Sequence, residues 1–111
     1  MAENVSAPQS STSATADIAP YLADLTGRVL FGEVWEHPGL SKRDRSLITI
    51  SVLTALYRTG QISGHVQRGL ANGLTKEEIV EAMTHIGFYA GWPTSVQAVQ
   101  IAKQTFESLG V

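Results

Sequence analysis

Residues 43–65 read RDRSLITISVLTALYRTGQISGH, and the fold turns on how this stretch is parsed. From Leu47 to Tyr57 it is apolar on nearly every side, interrupted only by Thr49, Ser51 and Thr54. The run from Ile48 to Val52 is prone to form a strand. However, Ser41 to Tyr57 contains no turn signal and is far longer than a usual strand of about 5–6 residues. A helix is therefore the better reading, with Ser41 and Asp44 in capping-box positions at its start. Being apolar all round, such a helix has to be covered all round. Arg58, Thr59 and Gly60 cut it, and a second helix begins with Gln61 and His65 one turn apart. A polar cluster beside an apolar wall is where a small-molecule site is expected.

Upstream, Asp17 to Trp35 reads as a first helix, with Ile18, Leu22, Leu25, Val29 and Leu30 at three- and four-residue steps. Asp17 is placed to cap it and Pro20 to sit in its first turn, while Gly27 and Gly32 weaken it. His37-Pro38-Gly39 is a turn. Downstream, the helix from Gln61 ends at Ala71 before Asn72-Gly73. Thr75 and Glu78 form a capping box for a helix to about Ala90, which Gly91-Trp92-Pro93 breaks. Thr94 with Gln97 caps a last helix carrying Val96, Val99, Ile101, Ala102 and Phe106. The expectation is an all-α protein, a small bundle of about five to six helices with short connections.

The chain has 111 residues, which favours a single domain. Residues 1–16 are rich in Ser, Thr and Ala and cannot offset the entropy of ordering, so a flexible tail is expected there and the helical domain over 17–111. They have neither the basic start nor the apolar middle of a signal peptide. No apolar run reaches the ~18 residues of a membrane span, so a cytoplasmic protein is expected. Eight Lys and Arg against ten Asp and Glu, without a basic stripe, argue against nucleic-acid binding. The absence of cysteine removes disulfides, thiolate nucleophiles and thiolate metal sites. A domain this small buries only roughly two-thirds of its unfolded surface. The central helix exceeds what that can cover, so a homo-oligomer is expected.

His65 is the leading candidate for chemistry, because imidazole gives or takes a proton near neutral pH. Gln61 shares its helical face, and Arg58, ahead of the break, is placed to grip an anion. The competing reading is a histidine bonded to a neighbouring helix and an ordinary surface arginine. Glu33 beside Trp35 is a candidate acid or base if the indole raises its pKa; a structural ion pair with Arg43 or Arg45 is the alternative. His85, between Ala82, Ile86 and Tyr89, reads as either a core histidine or an assistant in proton traffic. His37 is expected in solvent. Met83, Phe88 and Tyr89 read as packing. Trp92 lines a pocket or plugs a subunit contact. The histidines share no HxxxH or HExxH spacing, so no metal site is expected.

The sequence resembles the carboxymuconolactone decarboxylase family over roughly Phe31 to Phe106. The resemblance rests on Gly32-Glu33-Val34-Trp35, Pro38-Gly39-Leu40, Arg43-Asp44-Arg45, His65, Ala71-Asn72-Gly73, Glu77-Glu78-Ile79 and Tyr89-Ala90-Gly91-Trp92-Pro93. It implies an alkylhydroperoxidase D-like helical unit, typically trimeric or hexameric. In the peroxidase branch of that superfamily two cysteines precede a histidine by seven and four residues; here those positions are Arg58 and Gln61. That branch's relay glutamate falls on Ser46. The likeness is thus to the decarboxylase branch, and a thiol peroxidase is excluded. In members that decarboxylate a carboxylated muconolactone, a glutamate tends to stand where Gln61 stands here, while Arg58 and His65 match.

The resemblance implies a lyase of aromatic-compound breakdown acting without a cofactor on a small carboxylic acid or lactone. The substrate's own carbonyl would accept the electrons as CO2 leaves. His65 would donate the proton or bond the oxyanion, with Glu33 or His85 assisting. Arg58, Gln61, Trp92 and Arg45 would bind the substrate. The rival expectation is a non-catalytic helical oligomer that binds a small hydrophobic acid.

Overall fold

The computed structural model describes residues 15–111, so residues 1–14 of the expected tail lie outside the described part. The described residues divide into two compact units, one ending at Lys42 and the other spanning Arg43–Val111. Every regular element among the described residues is helical.

In the first unit, α1 spans Pro20–Leu25 and runs directly into a π-helical segment, Thr26–Val34. Pro20 occupies the first turn, where its missing N–H is not needed. Ala19, not Asp17, holds the N-cap position, and no side chain caps it. The Trp35 N–H donates to the Leu30 carbonyl five residues back, at 3.0 Å. This wider turn changes which residues share a face. The apolar stripe expected at three- and four-residue steps is not a buried one even ahead of that segment: Ile18 is 85% and Leu22 55% exposed. Arg28 and Asp24 pair at 3.0 Å in solvent, which adds little stability.

The second unit holds four helices: α2 Lys42–Ala55, whose first residue closes the preceding unit, α3 Thr59–Ala71, α4 Lys76–Ala90 and α5 Trp92–Leu109. Tyr57, at φ 59°, turns the chain between α2 and α3, so the break falls before Thr59 and Gly60, which are already helical. The Thr75–Glu78 capping box starts α4, with both reciprocal bonds made. Gly91 then separates α4 from α5 and caps α5 by backbone alone, so Thr94 is not the cap. Helix α5 begins earlier than expected because Pro93 suits its first turn.

The core joins Ile50 of α2, Ile62 and Val66 of α3, Ile79 and Met83 of α4, and Ala98, Ala102 and Phe106 of α5. Fully burying a side chain such as Ile50, Ile62, Ile79 or Met83 contributes roughly 1.5–3 kcal/mol. Two glycines allow the helices to approach. A Cβ on Gly69 would lie 3.0 Å from Leu74 Cδ1 and 3.1 Å from Ile50 Cδ1; one on Gly87 would lie 2.7 Å from Ser95 Cβ. Polar cross-links complete the packing. The Ser63 and Thr105 hydroxyls meet at 2.8 Å between α3 and α5, and the Arg43 guanidinium ties α2 to Glu78 of α4.

Within one chain the all-round cover expected for α2 is incomplete. Its Ser46, Ile50 and Thr54 face is buried, but Ile48, Val52 and Leu56 at four-residue steps stay about half exposed. Of the three side chains expected to pack, Met83 lies in the core, whereas the Phe88 and Tyr89 rings are 73% and 80% exposed in the single chain. They stand on the outer side of α4, where Tyr89 lies against His85 (5.0 Å between centroids) and Phe88 meets Trp92 edge-on (5.2 Å).

Candidate functional site

Helix α3 carries two distinct faces. Ile62, Val66 and Gly69, three and four residues apart, enter the core. Beside that apolar row runs a polar one: Arg58 at the N-cap position, then Gln61, His65, Arg68 and, just past the last turn, Asn72. The same spacing that buries one row aligns the other. Along the polar row Arg58 and Gln61 are exposed, whereas His65, Arg68 and Asn72 are partly buried.

His65 Nδ1 and the Nε atoms of Arg68 and Arg45 are shielded from solvent. Burial, and then the positive charge of Arg68, push the His65 imidazole down from its usual 6.5 to about 4. The ring is therefore neutral at pH 7, and not poised around neutrality as its residue type alone suggests. Burial also lowers the Arg68 guanidinium, though it remains a cation at ordinary pH. Asn72 closes the row by donating from Nδ2 to Ser46 Oγ at 2.9 Å, and Ser46 is fully buried. A small neutral hydroxyl thus ties α2 to the end of α3.

The other candidates lie elsewhere. His85 is exposed on α4 and lines a groove of about 640 Å³ with Leu47 and Ser51 of α2 and Glu77, Glu81 and Ile86 of its own helix. None of the α3 candidates lines that groove. Trp92 is 56% exposed in the first turn of α5. Arg45 is partly buried on α2. Glu33 belongs to the first unit, where it is exposed on the π-helical segment and its charge acts on Arg28. His37 is exposed, as expected, with Nδ1 accepting from the Gly39 N–H at 3.1 Å.

Arg68 and the Asn72–Ser46 link are additions to the residues singled out from sequence. For Arg68 a signal was present, since it follows His65 at i+3 on the same face. Among the described residues no cluster of three or more His, Cys, Asp or Glu side chains has the geometry to hold a metal ion. No helix there is long and apolar enough to cross a membrane.

A row that runs from solvated amide and guanidinium to a shielded imidazole beside a second guanidinium suits an anionic ligand whose charge is rearranged out of water. The family description "carboxymuconolactone decarboxylase family" matches residues 20–104. The chain is 43% identical over 84 residues to a 4-carboxymuconolactone decarboxylase of Acinetobacter baylyi, covering 76% of this chain and 63% of that protein. It is 30% identical over 79 residues to a nitrosuccinic acid decarboxylase of Metarhizium robertsii, covering 71% and 55%. An uncharacterised 15.0 kDa protein of Paracoccus denitrificans is 31% identical over 78 residues, covering 68% and 58%. The chain thus spans between about half and two-thirds of the length of these relatives.

Proposed function

The chain belongs to the carboxymuconolactone decarboxylase family, and on that premise we propose that it is a carbon–carbon lyase releasing CO2 from a small carboxylated lactone or keto acid. Two relatives named as decarboxylases of different acids support the reaction class. The observation that carries the reading to particular atoms is the shielded, neutral His65 on one face of α3 with Gln61 and Arg68.

In such a substrate the electron pair of the breaking C–C bond moves toward the lactone or keto carbonyl as CO2 departs. The protein's tasks are to position the acid, stabilise the oxygen that gains charge, and return one proton to carbon. This chemistry calls for no cofactor, since the substrate supplies the electron sink. His65 enters neutral, so its N–H is suited to bond the enolate oxygen. An anion bound close by favours the imidazolium. On this account the proton delivered to carbon is taken up from solvent when the acid binds. Gln61 orients the substrate, Arg58 guides its acid group at the exposed end of the row, and Arg45 and Trp92 contribute further binding surface. Glu33 and His85, both solvated, are assigned at most proton exchange with solvent. Gln61 in place of a glutamate supports a substrate other than the muconolactone itself.

We place the active form as a homo-oligomer, a trimer or hexamer as the family likeness implies. The half-exposed Ile48, Val52 and Leu56 row and the Phe88 and Tyr89 rings support this, as apolar surface that a second copy would cover. A cytoplasmic role in aromatic-compound breakdown belongs to the same reading. The test is CO2 release from a panel of carboxylated lactones and β-keto acids. Turnover of at least one supports the lyase. Saturable binding across the panel without any CO2 favours a binding protein instead.

A further inference from the structure

Two arginines flank His65 on the polar row of α3, and they are not equivalent. At about 1.5 Å rise per residue, Arg68 lies about 4.5 Å from His65 along the helix axis, whereas Arg58 lies about 10.5 Å away on the other side. Helical side chains lean toward the N-terminus, which carries the long Arg68 side chain back toward the imidazole. Arg58 would have to bend against that lean to reach it. Arg58 is also exposed, while Arg68 is partly buried with its Nε shielded. A guanidinium presents a planar fork that matches a carboxylate, and the pair is stronger where water is excluded.

We infer that Arg68 is a substrate-binding residue, holding against His65 an acid group that the substrate keeps when CO2 leaves. This rests on the decarboxylase reading for the identity of the reaction. The anion site itself does not depend on it. Gripping the departing carboxylate instead would stabilise the reactant more than the transition state, in which that charge moves away, and would slow the step. Holding a retained acid group has no such cost, and it selects substrates bearing a second acid function. Arg58, at the solvated end of the row, is left to guide that acid inward.

The probe is maleate, a small dicarboxylate, titrated into the full chain at pH 7 while the His65 ring resonances are followed by NMR. Wild-type protein should show a saturable shift of those resonances. Arg68→Gln should weaken maleate by about tenfold or more, and Arg58→Gln by less. Arg68→Lys, which keeps the charge and loses the fork, should fall between wild type and Arg68→Gln. If the Gln variant does not fold, the Lys variant decides, and wild-type affinity in it overturns the inference. So does wild-type affinity in a folded Arg68→Gln, or saturating maleate that leaves His65 unmoved, or the absence of saturable binding. On a turned-over substrate, Arg68→Gln should raise KM far more than it lowers kcat, a split that a purely structural role would not give. Maleate bound through Arg68 without CO2 release from any acid would sink the lyase and spare this site. Turnover indifferent to Arg68 would do the reverse.

Discussion

Arg68 follows His65 by one helical turn on the same face of α3, and its charge adds to burial in holding the imidazole at about 4. This one relationship links the stability of the unit to the chemistry proposed for it. The ring that is neutral in the folded chain is the ring asked to carry a proton once an anion is bound.

The stability of the protein should therefore fall in mild acid. Below about 6.5 the unfolded chain takes up a proton on this histidine, while the folded chain does not until about 4. The contribution is complete above 6.5 and is lost as pH falls to 4, with unfolding favoured by proton binding. A shift of this size corresponds to about 3 kcal/mol, and screening at a partly exposed ring reduces the expectation to the order of 2 kcal/mol. Urea unfolding of wild type and His65→Gln at pH 7 and pH 4.5 measures it. The wild type should lose more stability than the variant, and equal losses would contradict the assignment.

Gly87 sets the spacing of α4 and α5. A methyl group there would lie 2.7 Å from Ser95 Cβ, so Gly87→Ala forces the helices apart and should cost about 1–3 kcal/mol despite alanine's better helix propensity. Adding Ser95→Gly removes the clashing atoms and should recover part of the loss. Thermal unfolding of the single and double variants checks this, and an unchanged or raised Tm in Gly87→Ala would refute the close approach.

Gln61 is exposed, so replacing it should change stability by no more than about 0.5 kcal/mol. Gln61→Glu introduces the residue that the muconolactone-decarboxylating members tend to carry. Its kcat/KM toward a carboxylated muconolactone should rise by about tenfold or more. No gain would mean that Gln61 does not mark the difference in specificity.

The exposed row of α2 should be covered by a second copy. Sedimentation analysis of the wild type should give a multiple of the 11.9 kDa chain mass. Val52→Lys, at a position 48% exposed in the single chain, should lower that multiple while leaving the helical signal intact. A monomeric wild type would remove the reason given for this surface.

Local chemistry was legible in the sequence wherever the neighbours in the chain decide it. The Thr75–Glu78 capping box, the end of α3 at Asn72-Gly73 and the break at Gly91 all follow from residues within a few positions. The first unit was less so, because a change from i−4 to i−5 bonding after Leu25 leaves no mark on apolar spacing. Thr94 was a plausible cap, but Pro93 is equally suited to a first turn, and the helix starts before it. At the site, the alignment of Gln61 and His65 could be counted from spacing, and so could Arg68. The desolvation of His65 could not, since it depends on what other elements bring to α3. The outward placement of His85, Phe88 and Tyr89 is of the same kind: a three- or four-residue step tells which residues share a face of α4, not whether anything covers it.

The most direct test of the whole account is CO2 release under saturating substrate by wild type and by His65→Ala, on the best acid found in the panel. The wild type should turn over measurably, and the folded variant should be slower by about 10²-fold or more. A folded His65→Ala that releases CO2 at the wild-type rate would contradict it.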